Sequence, residues 1–207
     1  MAHLGPTDRA TRLWCVLASL APDLDGLGIL FGPEAYLRYH RLFGHTLLFG
    51  VGVTLLSARW VGRRAGALGL VFLAFLSHLL GDFFGGGPGW PLWPFLPFAA
   101  TELLCPCQWP LVSWQNYAIT AAALGVTLAI AVGYGRTPLE FVHAGLDRVV
   151  VDTSRFRWRP ASCEACPARA SLACQGCGRR LCEGHASWRR LRVFCRGCLA
   201  QPAATGP

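Results

Sequence analysis

The chain reads as a mostly α-helical membrane protein, with a polytopic helical domain of about four apolar segments and a small C-terminal cross-brace zinc-binding domain. Three observations predict this. Of its 207 residues, 53% are hydrophobic and only 14% charged, against about 25% charged in ordinary soluble domains. The apolar residues gather in runs divided by arginine-, glycine- and proline-rich stretches. Eight Cys and His residues near the C-terminus stand in four hooks at metal-ligand spacing: Cys163-x2-Cys166, Cys174-x2-Cys177, Cys182-x2-His185 and Cys195-x2-Cys198. This length allows one membrane domain (1–136), an amphipathic helix with a basic linker (137–160), the zinc module (161–200) and a disordered tail (201–207).

Taken in order, Leu13–Ala21 is an apolar helix of nine residues. That is too short to cross ~30 Å of hydrocarbon unaided, and Pro22 is expected to end or kink it. Pro22-Asp23-Leu24-Asp25 stands where a secretory leader would carry a small-residue cleavage site, so no cleavable leader is expected. Residues 26–42 form a Gly- and Pro-punctuated connection with Phe31, Tyr36 and Tyr39. Phe43–Ala58 is the second apolar segment, closed by Arg59, Arg63 and Arg64, and Ala65–Phe84 the third, long enough to span. After Gly85-Gly86-Gly87-Pro88 comes a loop rich in tryptophan and proline up to Trp114, and Tyr117–Tyr134 is the fourth segment. Thr137, Pro138 and Glu140 suit N-cap, N1 and N3 of an amphipathic helix. Its apolar face would lie on the membrane or pack on the zinc module.

Basic residues, all arginine, set the expected orientation. Arg136 to Arg196 holds twelve of the nineteen, and Arg59–Arg64 holds three more, whereas 85–116 holds none. The positive-inside rule then places both termini in the cytosol of a bacterial inner membrane and the tryptophan loop outside. A basic tail can meet nucleic acid or anionic headgroups, but marking the cytoplasmic side is the simpler reading. Cytosol also keeps the C-x2-C thiols reduced for metal. Cys15 reads as a core residue, and no disulfide is expected between Cys105 and Cys107, because C-x-C closes a strained ring.

This topology gathers six ionisable residues at one level on the outer side. Asp23 and Asp25 follow segment one, His40 and His45 precede segment two, and His78 and Asp82 end segment three. His78 and Asp82 are i,i+4, so a helix stacks them on one face. His40 and His45 are i,i+5 and share a ligand set only if the helix begins between them, with Gly44 a suitable place. Ionisable groups are expensive in apolar surroundings and point to a site. Three carboxylates and three imidazoles suit one or two Zn²⁺, Mn²⁺ or Fe²⁺ ions better than Ca²⁺. His78 and Asp82 are expected to share an ion with Asp23, with His40 completing the set and His45 a ligand or its neighbour.

Pro22-Asp23-Leu24-Asp25, His40-Arg41-Leu42-Phe43-Gly44-His45-Thr46, His78-Leu79-Leu80-Gly81-Asp82 and Trp90-Pro91-Leu92-Trp93-Pro94-Phe95 resemble, in that order, a bacterial family of membrane-bound, predicted metal-dependent hydrolases. Some of its members are LexA-regulated inner-membrane proteins. The family pattern is P-D-x-D, H-R-G-x-T-H, H-x-x-x-D and a W-P loop. This chain departs from it at Leu42-Phe43-Gly44, with the glycine displaced and one residue added. The resemblance covers about 10–135. It implies a metal-dependent hydrolase; the arginine topology places its site at the extracytoplasmic face, and the tryptophan loop at headgroup level suits an amphiphilic or phosphoester substrate. Asp25 would be a general base, and Arg41, or Arg38, would stabilise an anionic transition state.

The tail spacing is similar to a B-box zinc finger, although its last pair is Cys-Cys. In a cross-brace, Cys163, Cys166, Cys182 and His185 share one structural Zn²⁺, and Cys174, Cys177, Cys195 and Cys198 the other. Such a module is expected to contact a protein partner, with nucleic acid the second choice because of Arg179, Arg180, Arg189, Arg190 and Arg192. The competing reading of the whole chain is a non-catalytic membrane scaffold whose zinc finger recruits a cytosolic partner. A metal transporter fits less well, because no ligands continue toward the inner face.

Overall fold

The computed structural model describes residues 7–200; the tail expected to be disordered lies outside them. The chain forms two compact units, Met1–Ala122 and Ala123–Pro207.

In the first unit, Asp8 caps α1 (Arg9–Leu20), its Oδ1 accepting from the Thr11 amide at 2.8 Å. As expected of Pro22, the α-helix stops just before it, at Leu20, but the helical run does not stop there. The chain continues as a 3-10 helix over Ala21–Phe31 with the proline in its first turn, where a missing N–H leaves nothing unpaired. Arg9–Phe31 thus makes a helical run of 23 residues, apolar and long enough to cross a membrane, in place of the expected short one. After α2 (Pro33–Tyr39), residues 40–46 form an irregular turn. α3 (Leu47–Val61) begins later than its apolar pattern suggests, because Thr46 serves as N-cap and accepts from the Phe49 amide at 3.1 Å. At fifteen residues α3 is about 22 Å long, short of a full span. α4 (Ala65–Gly85) and α5 (Trp114–Tyr134) are the other two helices of spanning length and apolarity.

α1 and α4 run parallel, with α3 antiparallel to them. At one end Asp8 pairs with Arg64; at the other, the Ser19 carbonyl accepts from His78 Nδ1 at 2.8 Å. Between these ends lies a core of Cys15, Ala18, Val71, Phe75 and Leu79. α3 joins it by close approach, since a Cβ on Gly50 would stand 2.5 Å from the Phe75 ring. Large apolar side chains such as Leu30, Phe31, Phe43 and Phe98 are exposed, as lipid-facing residues are. The 86–113 loop folds back over the far end: the Leu47 amide donates to the Pro94 carbonyl at 2.8 Å and the Trp109 amide to the Phe84 carbonyl at 3.0 Å. Contrary to the sequence expectation, Cys105 and Cys107 are joined in a disulfide. The Cys-Pro-Cys turn holds their Cα atoms 5.1 Å apart, within the ordinary range for such a bond.

In the second unit, α5 ends before Gly135, whose φ of +66° leaves the helix. Thr137 caps only a short 3-10 turn, Pro138–Phe141. α6 (Ala144–Trp158) starts later, at an imidazole cap in which His143 Nδ1 accepts from the Gly145 amide at 3.0 Å, and it runs through the stretch expected to be a linker. One side of α6 holds the end of α5. Asp147 Oδ1 accepts from the amide and hydroxyl of Thr137, both at 2.7 Å, and Arg155 Nε donates to the Val132 carbonyl at 3.2 Å. Its other side holds the zinc-type module: the Ala173 amide donates to Asp152 Oδ2 at 3.2 Å, and Gln175 Nε2 to the Gly145 carbonyl at 3.3 Å. Burial pushes the Asp152 carboxyl up from the ordinary range. The module consists of two antiparallel hairpins, β1 (Leu172–Ala173) with β2 (Arg180–Leu181) and β3 (Ser187–Arg189) with β4 (Arg192–Phe194), then α7 (Arg196–Ala200). Its small core is Leu172, Leu181 and Val193 with Cys174 and Cys195.

Gly50→Val should break the α3–α4 contact, because the fully buried Phe75 ring has nowhere to move, at a cost of about 1–3 kcal/mol. Gly52→Val, which meets nothing within 4 Å, is the control. Thermal unfolding in detergent should show a lower midpoint for the first and no change for the second.

Candidate metal centres

The 22–25 turn, the 40–46 turn and the last turns of α4 meet in one basin. Gly44 makes the meeting possible: a Cβ there would stand 2.1 Å from the Pro22 carbonyl oxygen, so only glycine lets the two turns touch. His45 is fully buried at the centre. Its Nδ1 lies 3.2 Å from Asp25 Oδ2 and its Nε2 3.1 Å from Asp82 Oδ2. Asp25 is committed on both oxygens, Oδ1 to His40 Nδ1 at 2.9 Å and Oδ2 to His45 and the Gly44 amide at 3.0 Å. His78 completes the basin, with Nε2 3.5 Å from Asp23 Oδ1 and 3.8 Å from Asp82 Oδ2.

Asp23, His45 and His78 each offer one ligand atom, all within 4.8 Å of one another, an arrangement that could hold a metal ion. His40 is not in this group; it stacks on Tyr36 at 4.6 Å and serves Asp25. The two histidines thus exchange the places expected of them. The reason is that no helix begins between them: both sit in the irregular turn before α3, which aims His45 inward.

The test of fit to a cation is His78. Its Nδ1 faces the Ser19 carbonyl, which only accepts, so Nδ1 donates there. Nε2 is buried without a hydrogen bond and faces two carboxylates, at 3.5 and 3.8 Å. Two anions facing one ring nitrogen call for positive charge between them, as a bound cation or as a second ring proton. Ligands bound at about 2.0–2.2 Å stand about 3.3–3.6 Å apart in a tetrahedron, close to the 3.5 Å between His78 Nε2 and Asp23 Oδ1.

Arg41 is buried and holds Asp82 rather than facing open space. NH2 pairs with Asp82 Oδ2 at 3.1 Å, NH1 donates to the Trp90 carbonyl at 3.0 Å, and the guanidinium lies 4.8 Å from the Trp90 ring centre. Its backbone sits at φ +71°, a strained conformation for a non-glycine residue. Gly86 makes room, since a Cβ there would stand 1.9 Å from Arg41 NH2. Arg38 lies over Tyr39, 5.6 Å from the ring centre. Trp90, Gly86 and the Ser19 carbonyl were not singled out as site residues from the sequence. Only the glycine run and the Trp90-Pro91 motif signalled two of them, and a backbone carbonyl leaves no trace in composition.

In the tail, Cys163, Cys166, Cys182 and His185 form one cluster and Cys174, Cys177, Cys195 and Cys198 another, and both could hold zinc. A tetrahedron with Zn–S of ~2.3 Å has edges of about 3.8 Å. Cys166 and Cys182 Sγ are 3.7 Å apart, and Cys177 and Cys195 Sγ 3.8 Å. The Ala165 amide, first among several donors, lowers the Cys163 thiol to about 6. At Cys174 burial opposes ionisation, but the amides of Cys195, Cys177 and Gly176 prevail and lower it to about 6. Cys198, crowded by Cys177, Cys195 and Cys174, rises to about 12. Thiols so close cannot all ionise without a cation, and a divalent ion resolves the conflict.

A family model described as YdjM inner membrane protein matches residues 2–153. Neither a curated protein nor a solved structure is significantly similar to the chain.

With both clusters filled by protein ligands, chelation should unfold the tail module, because its core is too small to fold it alone. Cys174→Ser should release about one zinc equivalent per chain and leave the membrane domain inserted. Metal analysis by mass spectrometry after gel filtration checks this; an unchanged zinc content would contradict it.

Proposed function

The chain belongs to the YdjM inner membrane protein family, and from that premise we propose that it is a metal-dependent hydrolase. Its basin would open on the extracytoplasmic side and act on an amphiphilic ester such as a phosphoester lipid. The observation that carries this reading is the buried Nε2 of His78, which has no hydrogen bond and is turned toward Asp23 and Asp82 by the Ser19 carbonyl. Asp23, His45 and His78 would hold the ion, with Asp82 beside them. A divalent cation there would supply Lewis acidity and lower the pKa of water.

The remaining residues would position these. Asp25, with both oxygens engaged, orients His45 and His40 and is no longer the best choice for a general base. Arg41 holds Asp82 in place and keeps positive charge near the spot where an anionic transition state would form. Asp23, with its side chain 55% exposed, faces the side from which substrate would arrive.

Sidedness draws on redox chemistry as well as on arginines. The Cys105–Cys107 disulfide lies in the loop at the basin end and suits an oxidising compartment. The free cysteines of the tail suit a reducing one. With both clusters closed by protein ligands, the tail's zinc ions would be structural, and the module would present a cytosolic contact surface.

His78→Ala and Asp23→Asn should each lower kcat/KM on a phosphoester lipid in detergent by roughly a hundredfold or more. Both should also remove the membrane-domain metal and leave tail zinc unchanged. If metal-loaded wild-type protein cleaves no member of a phosphoester and carboxylester lipid panel, the scaffold reading takes its place.

A further inference from the structure

The tip of the β3–β4 hairpin is built in a way that its fold does not require. Arg189 and Arg192 face each other in the ladder, leaving Arg190 and Leu191 as a two-residue loop. Their φ values are +47° and +60°, the left-handed pair of a type I′ turn, which favours Asn-Gly. An arginine and a leucine are held there despite that strain. The side chains around the loop are open: Trp188 is 56% exposed and Leu191 52%. Arg189, Arg190 and Arg192 are exposed as well, and no Asp or Glu occurs between Gly184 and Ala200. The tip therefore presents an indole on the Val193 face, an isobutyl group in the loop, and three guanidinium groups that form no ion pair among the described residues, Arg192 lining a pocket with Asp152.

Its position within the second unit gives it a partner. Gly145, in the first turn of α6, lies so close to the tip that a Cβ there would stand 2.4 Å from the Leu191 carbonyl oxygen. The same turn of α6 carries Asp147, which grips Thr137, three residues beyond the last residue of α5. The tip is thus tied, through one helical turn, to the point where an apolar helix of spanning length ends. Val142, 75% exposed, lies in the segment between the two. A tryptophan and a leucine among arginines at a membrane exit match the interfacial zone of a bilayer, where indoles settle at headgroup depth and guanidinium groups meet phosphate.

We propose that the β3–β4 hairpin of the tail module is a second membrane contact, seating Trp188 and Leu191 among anionic phospholipid headgroups bound by Arg189, Arg190 and Arg192. The contact fixes the module against the bilayer beside the end of α5. It does not depend on hydrolysis or on the basin. It also gives a use to the zinc clusters, which keep the hairpin rigid.

The test uses the full chain in nanodiscs, either pure phosphatidylcholine or a mixture with roughly one third phosphatidylglycerol, both with acyl chains brominated near the headgroup. Trp188 emission is read as the difference between wild type and Trp188→Phe. The anionic discs should blue-shift and quench this signal; pure phosphatidylcholine should do so severalfold less. The triple variant Arg189→Gln, Arg190→Gln, Arg192→Gln should abolish the effect, and high salt should weaken it. Zinc content of each variant separates a lost contact from a lost fold. Equal Trp188 signals in both discs would overturn the proposal. So would a Trp188 response to duplex DNA or RNA but not to anionic lipid, which would make the tip a nucleic-acid surface.

Discussion

A fully buried histidine between two carboxylates is the constraint on which the first unit depends. His45 spans Asp25 and Asp82, and its loss would leave two carboxylates facing each other across an apolar gap, where an under-paired ion costs several kcal/mol. The local sequence serves that bridge. Gly44 brings the 40–46 turn against Pro22; Thr46 starts α3 only after the ring has been placed; Arg41 accepts a strained backbone to reach Asp82; Gly86 leaves the space it fills. The basin is an electrostatic lock between three chain segments, and the apolar helices below it hold it in register.

The second unit solves a different problem. Its hairpins are too short and its apolar core too small to offset the entropy of ordering the chain. The bracket of α6 supports that core, and metal at the two cysteine clusters, which could hold zinc, would supply what the core lacks. α6 grips the end of α5 through Asp147 and Arg155 and the hairpins through Asp152. The hairpins are thereby tied, through α6, to the end of an apolar helix.

Part of this was legible in the sequence, and for identifiable reasons. The i,i+4 spacing of His78 and Asp82 and the short reach from Asp23 to Asp25 survive any helix boundary error. Arginine placement led to one end of the helices, where these residues do meet. The hook spacing of the tail fixes which ligands are neighbours within a hook, and the B-box-like cross-brace implied which hooks share an ion. What the sequence concealed depends on tertiary packing. Pro22 does end the α-helix, but it also occupies the first turn of a 3-10 helix that carries the run on to Phe31. Which of His40 and His45 turns inward depends on where Thr46 caps α3, a matter of a single residue. The Cys105–Cys107 bond depends on the Cys-Pro-Cys turn, and the late start of α6 on an imidazole cap that composition does not advertise.

The account stands on a cation among Asp23, His45 and His78, and metal-edge anomalous diffraction from crystals of the full chain reads it directly. The two tail clusters serve as internal standards for metal occupancy. The predicted result is a third peak in the basin, about 2.0–2.2 Å from His78 Nε2 and an Asp23 oxygen. Peaks at both tail clusters with none beside His78 would contradict it.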